Sequence, residues 1–228
     1  MTEALKGNRG GTTRLILLLL IPAVLAFWMN IGFHYIAPFQ GGFLLKWLPT
    51  GLLALLVYLH RESVPGFFLF AALLLQSVGD VILDFDRIGY VLPSIGFVVI
   101  GHVFYNITFL RDRSSFADIS TGRKVLMGVV VLYSVSFAAY LVMHLKPVML
   151  VPVMLYSVAL TGVVVTSILA NYKTIWITVG TLIYVVTDST LAYHIFIDRI
   201  PGEHFITWPI YIGGQVLIVY NYLKEKTQ

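Results

Sequence analysis

Asp80 and Asp188 each lie inside a long apolar run of this sequence, as do His102 and Lys46, and these four residues are its candidates for chemistry. An ionisable group within an apolar, membrane-length segment costs several kcal/mol unless it is paired or solvated, so each one marks a site by default. Two carboxylates brought together in a low-dielectric pocket suit acid–base work, one serving as proton donor while the other remains an anion. Gln76, Tyr105, Asn106, Tyr156, Tyr184, His194 and Gln215 accompany them as neutral polar residues. Other chemistries fit less well. A catalytic zinc takes three protein ligands, usually several of them histidine, and only His102 and His194 are placed to serve, so no metal site is assigned. Ser77 and Ser189 stand near the aspartates, but the G-x-S-x-G turn of the serine hydrolases is missing. The chain has no cysteine, which removes thiolate nucleophiles, thiolate metal sites and disulfides together.

Each of these residues also has a structural reading. Lys46 is close enough to the end of its run to extend its ammonium to the membrane surface, as anchor or as headgroup contact. His102 taken alone is a packing residue, with Tyr105 one turn away as its expected hydrogen-bond partner. Tyr156 and Gln215 taken singly serve as interhelical glue. The aspartates resist this treatment, because a salt bridge to Lys46 accounts for only one of them.

The elements that must position these groups are helices. With 58% hydrophobic and 11% charged residues and a mean hydropathy of +0.88, the composition is that of a chain solvated by lipid. Apolar runs near 15–37, 43–60, 66–84, 92–111, 124–145, 148–170, 174–197 and 205–223 follow one another with short polar gaps, each near the ~20 residues a helix needs to cross a bilayer. Pro38 with Gly41 and Gly42, Pro65-Gly66, the 84–89 stretch and Pro201-Gly202 supply the turns. The first run follows Lys6, Arg9 and Arg14 like a signal peptide, but it is too long and lacks a cleavage site, so a retained helix is expected. The expectation is an all-α, polytopic bundle of about eight spanning helices forming one domain over 15–223, with a basic N-terminus at 1–14 and a tail at 224–228.

Basic residues set the orientation. Lys6, Arg9, Arg14, Arg61, Arg111, Arg113, Arg123, Lys124, Lys173, Lys224 and Lys226 fall on one side, and Arg87, Lys146 and Arg199 on the other. By the positive-inside rule both termini are expected in the cytoplasm. Counting 1.5 Å per residue from the opposite side puts Asp188, His102 and Gln215 ~13 Å deep, Tyr156 ~12 Å, and Asp80 and Lys46 ~5 Å. Groups from several helices thus share one level, as the walls of a polar pocket open to one leaflet. These basic residues lie between apolar segments and not in a patch interleaved with aromatics, so nucleic acid is not a partner. Gly79-Asp80 and Thr187-Asp188 stand four helices apart, a spacing that parallel repeats would give and that chance gives too.

Six short segments in order resemble the lysoplasmalogenase family, the YhhN-like membrane proteins. They are Lys46-Trp47-Leu48-Pro49, Gly79-Asp80, His102-Val103-Phe104-Tyr105, Pro152-Val153-Met154-Leu155-Tyr156, Thr187-Asp188-Ser189-Thr190-Leu191-Ala192, and Gln215. Two differ from the family's motifs: Trp47 where many members have proline, and Thr187 where serine is usual. Neither removes an ionisable group. The resemblance implies hydrolysis of the vinyl-ether bond of lysoplasmalogens to a fatty aldehyde and a glycerophospho-base such as glycerophosphoethanolamine or glycerophosphocholine, without metal or organic cofactor. On that reading Asp80 and Asp188 share the acid and stabilising roles and His102 relays a proton or orients water. Tyr105, Tyr156 and Gln215 contact the substrate, and Lys46 binds its phosphate. The expected partners are the bilayer and the lysophospholipid, and the expected location is the endoplasmic-reticulum membrane of a eukaryote or the inner membrane of a bacterium. Two other classes remain open. Intramembrane aspartates and a histidine also suit a proton-coupled carrier, with helix breaks at Pro49, Pro152 and Gly213-Gly214, and a non-catalytic lipid-binding protein would use the same residues to fasten helices. Gly128 and Gly162 are available for close helix contacts.

Overall fold

A computed structural model of the chain describes residues 9–33, 42–60, 64–85 and 89–227. Among them eight α-helices follow in order: α1 (Arg9–Phe33), α2 (Gly42–Leu59), α3 (Val64–Phe85), α4 (Val91–Leu110), α5 (Thr121–Val142), α6 (Pro147–Leu169), α7 (Trp176–Phe196) and α8 (Glu203–Thr227). Each expected span coincides with one helix. The first starts at Arg9, ahead of the apolar run, and the last continues to Thr227, because helix geometry carries on into polar sequence where nothing breaks it. The end of the first run, 34–37, lies outside the described residues. Four helices, over Gly66–Phe85, Val91–Leu110, Thr121–Val142 and Pro147–Leu169, are long and apolar enough to cross a membrane. Their outward side chains are large and apolar, among them Val125, Leu132, Val151 and Val158. An outer surface of that kind is stable against lipid and not against water.

Local sequence explains the helix ends. Ser120 caps α5 by accepting from the Arg123 amide at 3.4 Å. Pro147 opens α6, where its missing N–H costs nothing. Gly202, at φ +70, makes the turn into α8. Pro22, Pro49, Pro152 and Pro209 lie inside helices, yet these helices continue through them. The breaks expected at Pro49, Pro152 and Gly213-Gly214 for a carrier therefore do not occur.

Neighbours pack in a ring: α1 on α2, α2 on α3, α3 on α4, α4 on α6, α6 on α7 and α7 on α8, with α8 closing against α1 and α2. α5 stands outside this ring, resting on α6 and touching α7. α4 thus skips its neighbour in sequence and packs on α6. The loop after α4 secures this, with the Ser114 amide bonded to the Leu169 carbonyl at 2.9 Å and the Asn171 amide to the Asp112 carbonyl at 2.8 Å. Arg123 donates from the start of α5 to the Ala170 carbonyl at 3.2 Å. Asp112 accepts from the Tyr172 hydroxyl at 2.8 Å and pairs with Lys226 at 2.5 Å. Burial, then the Asp112 charge, push the Tyr172 phenol up, so it stays a neutral donor. The basic end of the bundle is therefore clasped by its loops, while the other end carries the site.

The α7–α8 crossing depends on two glycines. A Cβ at Gly180 would stand 2.7 Å from the Gly214 carbonyl oxygen, and one at Gly214 would stand 3.0 Å from that of Gly180. Gly162 is likewise filled, by the Asn106 amide, whereas Gly128 faces open space. Gly180→Ala is expected to cost about 1–3 kcal/mol through forced separation of the two helices. Gly128→Ala is expected to be neutral or slightly stabilising, since alanine is the better helix former. Thermal unfolding of the two variants in the same detergent checks this; equal Tm values would contradict the crossing.

Candidate functional site

α3 and α7 each present one aspartate to the same place. Asp80 is one turn and a residue from the end of α3 and Asp188 is midway along α7; both line two adjoining cavities. The larger lies between α3, α4, α5, α6 and α7 and has a volume of about 100 Å³. Its wall is mainly aliphatic and aromatic, including Val98, Phe137, Leu160 and Ile195, with Ser94, Ser134 and Ser189 interspersed. α4 and α5 face each other across it. The smaller, of about 40 Å³, lies between α2, α3, α7 and α8. The aspartates, Leu83, Leu191 and Tyr211 belong to both and form the partition.

Each carboxylate is held by a tyrosine from a further helix. The Tyr156 hydroxyl of α6 donates to Asp188 Oδ2, and the Tyr211 hydroxyl of α8 donates to Asp80 Oδ2 at 3.2 Å. A hydrogen bond to an ionised acceptor is stronger than a neutral one, and each tyrosine sets the direction of its carboxylate. Lys46 is 4% exposed on α2 and donates to Asp84 Oδ1 at 3.2 Å and to the Asp80 carbonyl at 3.1 Å. Its salt-bridge partner is thus Asp84, and the Asp80 side chain is left to Tyr211. Lys46 lines the smaller cavity without needing to reach the surface.

The remaining expected site residues lie behind this wall. His102 is fully buried, edge-on to the rings of Tyr156 and Tyr184 at centroid distances of 5.1 and 5.4 Å. Tyr105 is not its partner: the Tyr105 hydroxyl donates instead to Gln215 Oε1 at 2.5 Å, because the ring points across the bundle toward α8. Neither His102 nitrogen has a hydrogen-bond partner among the described residues. His102, Tyr105 and Gln215 are not among the residues lining either cavity. Tyr184, which packs on His102, Tyr105 and Tyr211, stands between them and the larger cavity. His194 accepts from the Ile200 amide at 3.0 Å and closes the turn after α7. Asn106 ties α4 to α6 through the Ala159 carbonyl at 3.0 Å and Thr166 at 3.2 Å.

Two residues of the site escaped the sequence reading. Tyr211 is eight residues into α8, a depth equal to that of Asp188, and the depth count applied to that helix would have found it. Asp84 falls in the 84–89 stretch expected to supply a turn, yet it belongs to α3 and stands four residues from Asp80, so on the same helix face.

The YhhN family model matches residues 42–222, from the start of α2 almost to the end of α8. No curated protein and no solved structure matches the chain.

The Lys46–Asp84 pair makes a stability prediction independent of any reaction. Asp84→Asn leaves a buried ammonium short of its counter-ion and is expected to cost about 1–3 kcal/mol, reduced from the fully buried case because Asp84 is 22% exposed. The double variant Lys46→Met, Asp84→Asn is expected to recover part of that loss. A double-mutant cycle by unfolding in detergent reads the coupling, and strict additivity would show that the pair contributes nothing.

Proposed function

The chain belongs to the YhhN family, and on that premise we propose that it is a membrane hydrolase that cleaves the vinyl-ether bond of lysoplasmalogens. The observation that carries this reading is the pair Asp80 and Asp188, each oriented by a tyrosine, at the border between a larger apolar cavity and a smaller one with more polar groups in its wall. A lysoplasmalogen has its labile bond at such a border, where the alkenyl chain meets glycerol.

The slow step of vinyl-ether hydrolysis is protonation at the alkene carbon distal to oxygen, which leaves an oxocarbenium ion. Water adds to that cation to form a hemiacetal, which collapses to a fatty aldehyde and the freed glycerol hydroxyl. One carboxylic acid delivers the proton and the second, as an anion, stabilises the cation, a division of labour also used on glycosides. Asp80 and Asp188 fill these roles between them. Tyr156 and Tyr211 hold the carboxylates and line the cavity within reach of the ether oxygen or the glycerol. Lys46 meets the phosphate from the smaller cavity, as a compact cation suited to it. His102 acts through the Tyr156 ring it packs on, and Tyr105 with Gln215 supports Tyr184 from behind. The single alkyl chain occupies the larger cavity, which it reaches sideways between α4 and α5. No metal or organic cofactor takes part. All eight helices cross the bilayer as one domain, with both termini in the cytoplasm and the site in the opposite half. The membrane is the endoplasmic reticulum in a eukaryote or the inner membrane in a bacterium.

Purified protein in detergent is expected to release aldehyde from lysoplasmalogen and not from the matched alkyl-ether or acyl lysolipids. Asp80→Asn and Asp188→Asn are each expected to lower kcat by ~100-fold or more, the usual scale for loss of a general acid or its electrostatic partner. Wild-type turnover in both folded variants would remove the basis of the mechanism. Ser134→Trp, at the α5 side of the larger cavity, is expected to raise KM at least several-fold while Tm stays near wild type; unchanged kinetics would place the chain elsewhere.

A further inference from the structure

The basic end of the bundle has an open groove of its own, between the start of α7 and the last turns of α8, with a volume of about 590 Å³. Both of its walls grade in the same order. On α8, Leu217, Tyr220 and Lys224 share one helix face and run from apolar through aromatic to cationic toward the end of the helix. On the other wall Trp176 opens α7 and Lys173 stands just ahead of it, so an aromatic ring again lies inward of a cation. Trp176 is 52% and Tyr220 45% exposed, and both lysines are exposed. Glu225 also lines the groove, but its Oε1 accepts from the Thr174 amide at 2.9 Å and so joins the end of α8 to the loop before α7. Two ammonium groups against one carboxylate leave the groove with an excess of one positive charge. The positive-inside rule accounts for lysines at this end of the bundle, but not for their convergence from two separate elements on a groove that turns aromatic and then apolar below them.

We propose that this groove binds one anionic phospholipid, with its phosphate between Lys173 and Lys224 and an acyl chain running past Trp176 and Tyr220 onto Leu217. The site is separate from the aspartates and independent of any reaction there; it rests on the reading that α7 and α8 cross the bilayer. A phosphodiester monoanion answers the single excess positive charge. An ammonium has three N–H donors, so each lysine can meet the phosphate while keeping a contact within the protein. Tryptophan and tyrosine rings favour the level at which headgroup gives way to chain, and Leu217 lies below them. A soluble phosphate compound would leave that apolar stretch unused, and a zwitterionic lipid would bring its own cation against the lysines. Trp176 is about one turn before Gly180 and Leu217 about one turn after Gly214, so a lipid seated here bridges α7 and α8 beside their glycine crossing. Contact with both helices at once gives the site a thermal readout, because a ligand that binds the folded bundle raises its stability.

Native mass spectrometry of the full chain, released from detergent containing phosphatidylglycerol or phosphatidylcholine with the same acyl chains, counts the lipids bound, and thermal unfolding with the same additions reads their effect. Wild type is expected to hold one phosphatidylglycerol about 10-fold more tightly than phosphatidylcholine, the scale that two lysines at a headgroup give, and to gain Tm with the anionic lipid alone. The double variant Lys173→Gln, Lys224→Gln is expected to reduce that preference to under about 2-fold and to lose the Tm gain, whereas Lys124→Gln, at the same end of the bundle but outside the groove, keeps both. Glycerophosphoglycerol, the headgroup without chains, is expected not to displace the lipid; displacement at equal concentration would reduce the site to a phosphate contact and overturn it. Equal affinity of the wild-type protein for the two lipids also overturns it, whatever the variants do. An equal loss of preference in Lys124→Gln would assign the effect to the overall charge of this end and sink the groove. None of these outcomes depends on aldehyde release, so the failure of this site and the failure of the hydrolase reading are told apart.

Discussion

A carboxyl group in a membrane-like interior has to find local partners whether it is protonated or ionised, and the architecture around Asp80 and Asp188 follows from that requirement. Transfer of an isolated charge into a low-dielectric medium costs far more than any single helix contact returns, so the neighbours of such a group are not free to vary independently. Here the compensation comes from Tyr156 on α6 and Tyr211 on α8, while Lys46 on α2 and Asp84 on α3 compensate one another beside them. Five helices are thereby committed to one level of the bundle. The ring in which α8 closes on α1 and α2 is the arrangement that brings Tyr211 and Lys46 to the same partition. The glycine crossing at Gly180 and Gly214 then sets how near α8 comes to α7, and with it the distance over which Tyr211 can serve Asp80 while lining both cavities.

Helix number and approximate position were legible because length, hydropathy and turn residues all speak to them. Azimuth was not legible. These helices are apolar on all sides, so periodicity, which names the buried face of a soluble helix, is silent about which face of α4 or α8 turns inward. That is why Tyr105 was paired with His102 by sequence proximity when its ring in fact crosses to Gln215, and why Tyr211 was passed over for Gln215 on the same helix. Lateral order was hidden for a related reason. Short loops suggest that consecutive helices are neighbours, yet the ten residues between Leu110 and Thr121 free α5 from α4, and backbone hydrogen bonds from that loop to the end of α6 hold α4 on α6 instead.

The displacement of α5 is more than a departure from simple order. A cavity that admits a long apolar chain from lipid cannot be sealed on every side by packed helices, and a bundle held together by complete packing has no such opening. Placing one helix outside the ring reconciles the two demands. The ring is continuous without α5, so its stability does not depend on the α4–α5 gap being closed. α5 is anchored at its N-terminal end by Arg123 and along its length by α6, which leaves Tyr133, Ser134 and Phe137 facing the cavity and not a neighbouring helix.

In the proposed reaction, the partition also bears on how water would reach a cation formed beside so much apolar surface. The larger cavity is unsuited to hold water, since an ordered water requires several polar partners and most of that wall offers none. The smaller cavity has them in Thr187, Thr207, Glu203 and His204, on the far side of the carboxylates from the chain. In the proposed reaction, water from that side would meet the cation next to the aspartates, which leaves the apolar chamber dry during proton transfer. For the proposed reaction, carboxylates set between an apolar cavity and one with more polar groups suit both steps: the step that makes the cation gains from low dielectric, and the step that quenches it needs water.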